Sequence, residues 1–269
     1  MKFHVVTGLP RSGSTLLCNI LNQNPKFLAT TTSILPQIVA ATSHLLSNSL
    51  EFKAMLDRRP KETEQRAGRS MRAFIEAWYK DAERPVIFDK SRGWAVNALL
   101  LGSLFPEAKL LVMVRDLKSI FSSCEKQHRK TALFDEAQKP LGKTVMARYQ
   151  GMFSPEGIIG APLVGVMDLV RRDLPNVLFI QYESFAANPG RMMGKIYRHL
   201  ELEGFDHDFL DVQSTAEDPD GLYLNKFPHK GSGEVKPGDA QEWMKFVPRD
   251  IVQDIARNAT FFNDTFGYV

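Results

Sequence analysis

Four short apolar runs recur along the chain, and stretches with helical spacing of apolar positions separate them. The runs end at Gly, Pro or charged residues and cover residues 3–7, 85–89, 109–114 and 176–181. Runs of this length are typical of buried parallel strands. Helical spacing covers residues 14–22, 94–104, 157–172 and 189–199, and another helix begins at about residue 117. The alternation predicts an α/β fold whose parallel sheet binds ligands at the carboxyl ends of its strands.

A long helical stretch interrupts this alternation between the first two strands. Residues 33–83 keep helical spacing, with breaks near Asn48 and at Arg59-Pro60, and contain no strand-like alternation. No linker divides the chain, so we interpret residues 1–269 as a single α/β domain that carries residues 33–83 as a helical insertion or cap.

Composition and charge narrow the class of protein. The 269 residues include 34 Lys and Arg against 31 Asp and Glu, which gives a net charge of +3. This charge is too small for a protein that binds nucleic-acid backbones. The longest mostly apolar stretch, residues 95–105, is too short to span a bilayer. Cys18 and Cys124 lie within apolar helical patterns, and no secretion signal is visible. We therefore expect a cytoplasmic protein with reduced thiols and no membrane span.

The segment after the first strand, GLPRSGST, has the spacing of a phosphate-binding loop. Gly8 and Gly13 lie between an apolar strand and a helix, so backbone N–H groups can converge on an anion. Ser14 stands where a nucleoside triphosphatase has Lys, which argues against phosphoryl transfer from ATP. An ordinary turn with Ser14 capping the helix is the alternative. The predicted anion site consists of Pro10, Arg11, Ser12, Gly13, Ser14 and Thr15.

A second cation follows the third strand. Arg115 ends that strand, and Ser123 comes eight residues later, about two helical turns on, so both can face one anion. In the alternative interpretation, Arg115 pairs with Asp116 or another surface carboxylate.

Together these segments resemble the sulfotransferases that use 3'-phosphoadenosine-5'-phosphosulfate (PAPS). GLPRSGSTLL is similar to the 5'-phosphosulfate loop of that family, and residues 104–123 are similar to its 3'-phosphate motif, which uses an Arg and a Ser eight residues later. At position 11 the cytosolic steroid and phenol sulfotransferases usually have Lys. Because this chain has Arg11 there, it most resembles the tyrosylprotein-sulfotransferase-like branch. The resemblance implies a P-loop-type parallel sheet flanked by helices, with PAPS as co-substrate and no metal. It also implies sulfuryl transfer to a hydroxyl or amine acceptor, with release of 3',5'-adenosine bisphosphate.

The resemblance carries over to three further segments. It assigns Lys90 a role in sulfuryl transfer, beside Arg11, and places Tyr182 near the nucleotide. The segment 229–237 is similar to the loop that closes over the cofactor and adds Lys230, Ser232 and Lys236 as binding candidates.

The chain departs from the family pattern at the general base. The tyrosylprotein branch has its catalytic glutamate a few residues after the first helix, but residues 24–33 contain no carboxylate here. A basic residue that the family has after Ser123 falls at Gln127, with Lys126 and His128 adjacent. The base is unassigned, and residue type alone offers Asp89, Glu51, Glu76 and His128.

The acceptor is equally open. Peptide tyrosine, a sugar, a lipid head group, an amine and a small phenol all suit the cofactor loops. We expect residues 33–83 and 128–157 to cover the acceptor site. A basic run there favours either a polyanionic acceptor or a solvated helix face and comprises Arg58, Arg59, Lys61, Arg66, Arg69 and Arg72.

Two other functions compete with sulfuryl transfer, namely a kinase with a degenerate P-loop and a non-catalytic nucleotide-binding regulatory protein. The missing lysine weighs against the kinase, and the missing glutamate gives the regulatory protein some support. Monomer and homo-oligomer both remain open.

Overall fold

A single parallel sheet organises the computed structural model, which describes residues 1–130, 142–215 and 231–268. Within these ranges the strand order is β2-β3-β1-β4-β5, and every neighbouring pair is parallel. The strands are β1 (Lys2–Gly8), β2 (Phe27–Ala29), β3 (Val86–Lys90), β4 (Leu110–Val114) and β5 (Val177–Gln181). The predicted α/β fold is therefore confirmed, because parallel strands need helical crossovers between them.

Helices cover both faces of the sheet. The helices that precede β4 in the chain are α1 (Ser14–Leu21), α2 (Leu35–Asn48), α3 (Leu50–Arg58), α4 (Pro60–Trp78), α5 (Gly93–Val96) and α6 (Ala98–Leu104). After β4 come α7 (Leu117–Lys130), α8 (Val145–Phe153), α9 (Gly160–Arg172), α10 (Tyr182–Ala187), α11 (Pro189–Leu200), a 3₁₀ turn (Glu242–Lys245), α12 (Arg249–Asn258) and α13 (Thr260–Phe266).

Alternation along the strands divides the apolar core into two layers. In β1, Val5 faces a layer that contains Trp94, and Val6 faces the other layer, which contains Leu17 of α1. All four side chains are fully buried. Because successive strand residues point to opposite faces, both layers form on the same strands, which explains why these strands are almost entirely apolar.

Some predicted boundaries were wrong for physical reasons. The helix expected over residues 94–104 is broken at Asn97, whose side-chain amide donates to the Gly93 carbonyl at 2.8 Å and ends α5. β2 has three residues, too few to give an alternation signal. The helix expected from residue 157 begins at Gly160. The apolar spacing did not predict α8.

The insertion is helical, as predicted, and forms α2, α3 and α4. Leu35, Val39 and Ile75 anchor it in the core. Several of its arginines are ion-paired along the helix surface, for example Arg66 with Glu62 at 3.0 Å. These pairs favour the solvated-face interpretation of the basic run.

Side chains occupy the free edge of β2. The Asn22 amide donates to the Ala29 carbonyl at 2.8 Å, and its oxygen accepts from the Ala29 N–H at 2.7 Å. Arg84 donates to the Phe27 carbonyl at 2.5 Å. Across the described ranges, we find no helix with the length and hydropathy that a bilayer crossing requires.

Candidate active site

The loop after β1 packs closely against β4. The Leu9 N–H donates to the Met113 carbonyl at 2.9 Å. Gly8 has φ of 127°, and a Cβ there would lie 2.0 Å from the Met113 oxygen. Only glycine meets both requirements, so Gly8 fixes the path by which the loop leaves the strand.

The other end of the loop starts α1. Gly13 is its N-cap with φ of 85°, and the first helical bond runs from the Leu17 N–H to the Gly13 carbonyl. The N–H groups of the first turn therefore lack acceptors within the helix and, with the helix dipole, favour an anion. The Ser12 hydroxyl is buried and donates to the Leu9 carbonyl at 2.6 Å. The Ser12 hydroxyl is thus engaged within the loop, and of the predicted anion ligands Ser12 can offer its backbone N–H.

Arg11 joins the two predicted anion segments. Its Nε donates to the Ser123 hydroxyl at 3.1 Å, and its own carbonyl accepts from Arg115 Nη1 at 2.9 Å. Its backbone is left-handed, with φ of 56°, which is unfavourable for a side chain of this size. The Arg115 contact holds this conformation, so the two anion segments form one cluster.

Arg115 is positioned by the ring of Tyr182. The guanidinium carbon lies 4.5 Å from the ring centroid, within the range of a cation–π contact. The same ring packs on Gly13, where a Cβ would approach Tyr182 Cδ2 to 2.6 Å. Tyr182 thus lies between the first loop and Arg115.

One nitrogen of Arg115 is buried with no hydrogen-bond partner among the described residues, namely Nε. A buried donor without an acceptor costs about 1–3 kcal/mol. Asp116 does not supply that acceptor, because its carboxylate accepts from the Ser119 hydroxyl at 3.1 Å and lies 3.9 Å from Lys118 Nζ. The orphaned donor fits an oxyanion at this position.

Lys90 reaches the same region from β3. The strand register pairs Lys90 with Val6, and the Lys90 ammonium donates to Thr15 Oγ1 at 2.7 Å. Its backbone N–H donates to Thr30 Oγ1 at 2.9 Å. The Lys90 cation therefore lies at the first turn of α1, next to the predicted anion site.

Asp89 points to the opposite face of the sheet. Its carboxylate is fully buried and accepts from the Tyr79 hydroxyl at 2.5 Å and from the Trp94 indole N–H at 2.6 Å. Burial raises the pKa of Asp89. These contacts give Asp89 a role in packing the strand end and make it a poor candidate for the base.

The other base candidates have partners or positions of their own. Glu51 accepts from the Ser49 hydroxyl at 2.8 Å on exposed α3, and Glu76 pairs with Arg72 at 2.9 Å on exposed α4. His128 is buried on α7. Glu51 and Glu76 are thus engaged on exposed helices, and the base stays unassigned.

The late loop touches α1 through Gly231. Its carbonyl accepts from the Asn19 amide at 2.7 Å, and a Cβ on Gly231 would lie 2.9 Å from Thr15 Cγ2. Of the predicted loop residues, Ser232 is exposed, Lys236 is exposed and pairs with Glu234 at 2.7 Å, and Lys230 lies outside the described residues. The role of this loop over a cofactor stays a prediction, and Gly231, which contacts α1, was not among the predicted binding residues.

Arg92 is a cation that sequence reasoning also missed. Its carbonyl accepts from the Thr7 hydroxyl at 3.3 Å, and Nη1 donates to the Ile158 carbonyl at 3.4 Å. Burial raises the pKa of the Cys124 thiol to about 11, and the charges of Arg11, Arg92 and Arg115 oppose that rise. Arg92 therefore contacts the end of β1 through Thr7, and its position just beyond a strand end was the available signal.

The sequence that forms these strand ends, the first loop and the start of α1 matches a known family. The model described as "Sulfotransferase family" covers residues 5–207, which include the first loop, Lys90, Arg115, Ser123 and Tyr182. The chain belongs to the sulfotransferase family. The resemblance and the enzyme class predicted from the sequence are thereby confirmed. No group of three or more His, Cys, Asp or Glu side chains suited to a metal occurs in the described ranges.

Individual sulfotransferases are similar over nearly the whole chain. Protein-tyrosine sulfotransferase 2 of Gallus gallus is 26% identical over 270 residues, which cover 96% of this chain and 67% of that protein. The sulfotransferase domain of the Synechococcus PCC 7002 olefin synthase superposes with a TM-score of 0.56 at 18% identity, covering 100% of this chain and 94% of that domain. Mouse sulfotransferase SULT7A1, complexed with PAP, has a TM-score of 0.53 at 13% identity, with 95% and 82% covered. The two structures show a shared fold.

Proposed function

We propose that this sulfotransferase takes its sulfuryl group from PAPS, transfers it to a hydroxyl or amine acceptor and releases 3',5'-adenosine bisphosphate. The observation that carries the proposal is the cluster of Arg11, Ser123 and Arg115, with the Arg115 Nε buried and unpartnered. Family membership and the PAP complex of the mouse relative support it.

The residues divide between the two ends of such a nucleotide. The first turn of α1 and the loop before it suit the 5'-phosphosulfate, because backbone N–H groups, Arg11 and the Ser14 and Thr15 hydroxyls converge there. Arg115 and Ser123 suit the 3'-phosphate, as the family motif implies. Tyr182 keeps the Arg115 guanidinium in place through the ring contact at 4.5 Å.

Two cations suit the chemistry of transfer. When bound, PAPS supplies the sulfuryl group and the S–O bond to phosphate that breaks. The acceptor oxygen or nitrogen forms the new bond to sulfur and gives up its proton to a base or to solvent. Lys90 and Arg11 place positive charge where the leaving phosphate oxygen becomes more negative, and electrostatic stabilisation of this kind lowers the barrier. Thr15 holds the Lys90 ammonium at 2.7 Å for this role.

The cellular setting and the extent of the functional unit are part of the proposal. Cys18 and Cys124 are both buried free thiols, which supports a reducing, cytoplasmic environment. We take residues 1–269 as one functional unit, with residues 33–83 as an insertion in it.

One observation favours a second candidate, a nucleotide-binding regulatory protein of the same fold. Residues 30–32 are three threonines in the stretch where the tyrosylprotein branch has its catalytic glutamate. A protein with the nucleotide site and no effective base would bind the bisphosphate without transferring sulfate.

Calorimetric titration followed by an isotope assay separates the candidates. We expect binding of 3',5'-adenosine bisphosphate and no comparable binding of ATP with Mg²⁺, because Ser14 replaces the lysine of ATP-binding loops. Binding of ATP with Mg²⁺ and no response to the bisphosphate would overturn the proposal. Labelled PAPS is then offered with acceptors of each class, and bisphosphate binding without any transfer would favour the regulatory candidate.

A further inference from the structure

Two carboxylates lie close to Arg115, the cation proposed for the 3'-phosphate. Asp116 is the next residue after Arg115, and Glu183 is the next residue after Tyr182, whose ring packs on the Arg115 guanidinium. A carboxylate that paired with Arg115 would compete with a phosphate for the same donors. Arg115 Nε nevertheless has no hydrogen-bond partner in the described ranges, so other contacts must hold both carboxylates away from it.

The Asp116 carboxylate is engaged by the start of α7. It accepts from the Lys118 N–H at 3.2 Å and from the Ser119 hydroxyl at 3.1 Å. The first of these bonds caps the helix that carries Ser123, because the N–H groups of a first helical turn have no acceptor within the helix. Asp116 therefore serves α7, and Glu183 is the carboxylate whose position has to be explained by other contacts.

Glu183 is held at both of its carboxylate oxygens. Oε1 accepts from the Asp116 backbone N–H at 3.2 Å, and Oε2 accepts from the Tyr268 hydroxyl at 2.8 Å. Glu183 is exposed on α10, and an exposed side chain held by a single hydrogen bond keeps much of its rotational freedom. The second bond, from Tyr268, therefore fixes the direction in which the carboxylate points.

Tyr268 is placed by the turn that follows α13. Gly267 has φ of 68°, a left-handed conformation that ends the helix and turns the chain back. The Tyr268 N–H then donates to the Asn263 carbonyl at 2.9 Å, and its ring stacks on the buried ring of Phe262 with centroids 5.7 Å apart. Burial raises the pKa of Tyr268, so the hydroxyl keeps its proton and remains a donor.

The same turn also contacts the other sequence neighbour of Tyr182. The Gln181 side-chain amide donates to the Phe266 carbonyl, and the Phe266 ring packs on that of Phe179 in β5 with centroids 5.4 Å apart. Residues 266–268 therefore fasten the chain on both sides of Tyr182, through Gln181 and through Glu183. A segment remote in sequence from both phosphate motifs thus supports the ring that packs on Arg115.

We propose that Tyr268 and Glu183 are positioning residues for the nucleotide, in which the Tyr268 hydroxyl holds the Glu183 carboxylate away from Arg115 and keeps the guanidinium available to the 3'-phosphate. This inference rests on the proposed function, since it concerns the affinity for the nucleotide of that function. Without the hydroxyl, Oε2 of Glu183 loses its donor, and the carboxylate pairs with Arg115 in competition with the phosphate.

Calorimetric titration of the full chain with 3',5'-adenosine bisphosphate tests the effect on affinity. Tyr268→Phe removes the hydroxyl and keeps the ring, and we expect it to bind at least about fivefold more weakly than wild type. Tyr149→Phe is the matched control, because Tyr149 also donates to a carboxylate, that of Asp254 at 2.7 Å, and should keep wild-type affinity. Tyr268→Phe combined with Glu183→Gln has no competing charge, so its affinity should return to within about twofold of wild type.

The guanidinium signals of Arg115 report on the carboxylate without any nucleotide. They are observed by ¹H–¹⁵N NMR of the arginine side chains and assigned by their loss in Arg115→Lys. We expect them to shift in Tyr268→Phe, where Glu183 becomes an acceptor, and to return to the wild-type position in the double variant. Tyr149→Phe should leave them in place.

Three results would overturn the inference. They are wild-type affinity for the bisphosphate in Tyr268→Phe, an equal loss in Tyr149→Phe, and a double variant that binds no better than Tyr268→Phe. The last result would indicate a merely structural role, because removal of a charge does not repair lost packing. Failure of wild type to bind the bisphosphate would instead overturn the proposed function, and the guanidinium signals would still show whether Tyr268 keeps Glu183 away from Arg115.

Discussion

Arg11 Nε donates to the Ser123 hydroxyl at 3.1 Å, so two segments 112 residues apart in sequence meet in one hydrogen bond. Arg115 completes the junction by donating to the Arg11 carbonyl. The positions of Arg11 and Arg115 therefore depend on each other, and a change in either residue should alter both proposed phosphate contacts.

Arg115→Ala should weaken binding of 3',5'-adenosine bisphosphate by about 1–3 kcal/mol, because it removes a charge-assisted hydrogen bond and the support of the Arg11 backbone. Calorimetric titration measures the change. Arg115→Lys keeps the charge but loses the fork that also reaches the Arg11 carbonyl, so we expect an intermediate affinity. Wild-type affinity in Arg115→Ala would remove this residue from the site.

Lys90→Ala should lower kcat far more than it lowers bisphosphate affinity, since the ammonium acts mainly on charge that develops during transfer. Steady-state kinetics and calorimetry measure the two quantities. Lys126→Ala is the control, because Lys126 pairs with Glu242 and should leave kcat unchanged. Equal losses of kcat and affinity in Lys90→Ala would indicate a binding role alone.

Gly231→Ala should displace the late loop from α1. The added Cβ would lie 2.9 Å from both Asn19 Nδ2 and Thr15 Cγ2, which strains the hydrogen bond to the Gly231 carbonyl. We expect the free energy of unfolding in urea to fall by about 1–2 kcal/mol. Gly238→Ala has open space around it and should change stability by less than about 0.5 kcal/mol. Equal stability of the two variants contradicts the predicted packing.

Asp89 should be coupled energetically to Tyr79. Asp89→Ala leaves the Tyr79 hydroxyl and the Trp94 indole without their acceptor, and we expect a loss of roughly 2–5 kcal/mol in stability, since each buried donor costs about 1–3 kcal/mol. Tyr79→Phe and Asp89→Asn, singly and together, form a double-mutant cycle that isolates the pair. Purely additive losses would mean that the short contact contributes nothing specific.

His4 should make the fold sensitive to acid. Burial, with the nearby charges of Lys2 and Lys109, lowers the pKa of His4 to about 4, and its Nδ1 accepts from the Lys109 N–H. Below the ordinary pKa of 6.5 the unfolded chain takes up a proton that the folded chain resists, so stability is lost as the pH falls from 6.5 towards 4. The loss attributable to His4 is at most about 3–4 kcal/mol.

His4→Asn tests this assignment, because the Asn oxygen can accept from the same N–H and does not titrate. Urea unfolding at pH values from about 7 to about 4 should show a shallower loss in the variant. Burial lowers the pKa of His207 to about 4 as well, so part of the acid sensitivity should remain. An unchanged pH dependence in His4→Asn would assign the effect elsewhere.

The sequence predicted the central strands β1, β3 and β4 well because their residues are mostly buried on both faces, and the apolar run of the edge strand β5 was found as well. β1, β3, β4 and β5 begin and end within one residue of the predicted positions. β2 could not be found, since three residues show no period, and the break at Asn97 depends on a single side-chain bond to Gly93. Short-range chemistry of this kind leaves no trace in apolar spacing.

Local motifs predicted which residues of the site carry charge but not which of them touch. The glycine spacing indicated the loop, and the strand ends indicated Lys90 and Arg115. The contact of Arg11 with Ser123 depends on the register of β1 against β4, which pairs Gly8 with Met113. Likewise, tertiary packing outside any motif sets the contact of Gly231 with α1 and the contact of Arg92 with Thr7.

The Asn22 and Arg84 contacts at β2 also bear on aggregation. A bare strand at the side of a sheet can recruit the strand of another molecule, and such pairing begins many insoluble assemblies. Here the Ala29 N–H and carbonyl are both taken by Asn22, and the Phe27 carbonyl is taken by Arg84. These three side-chain bonds occupy outward backbone groups of a three-residue strand and thus disfavour intermolecular β-pairing at this edge of the sheet.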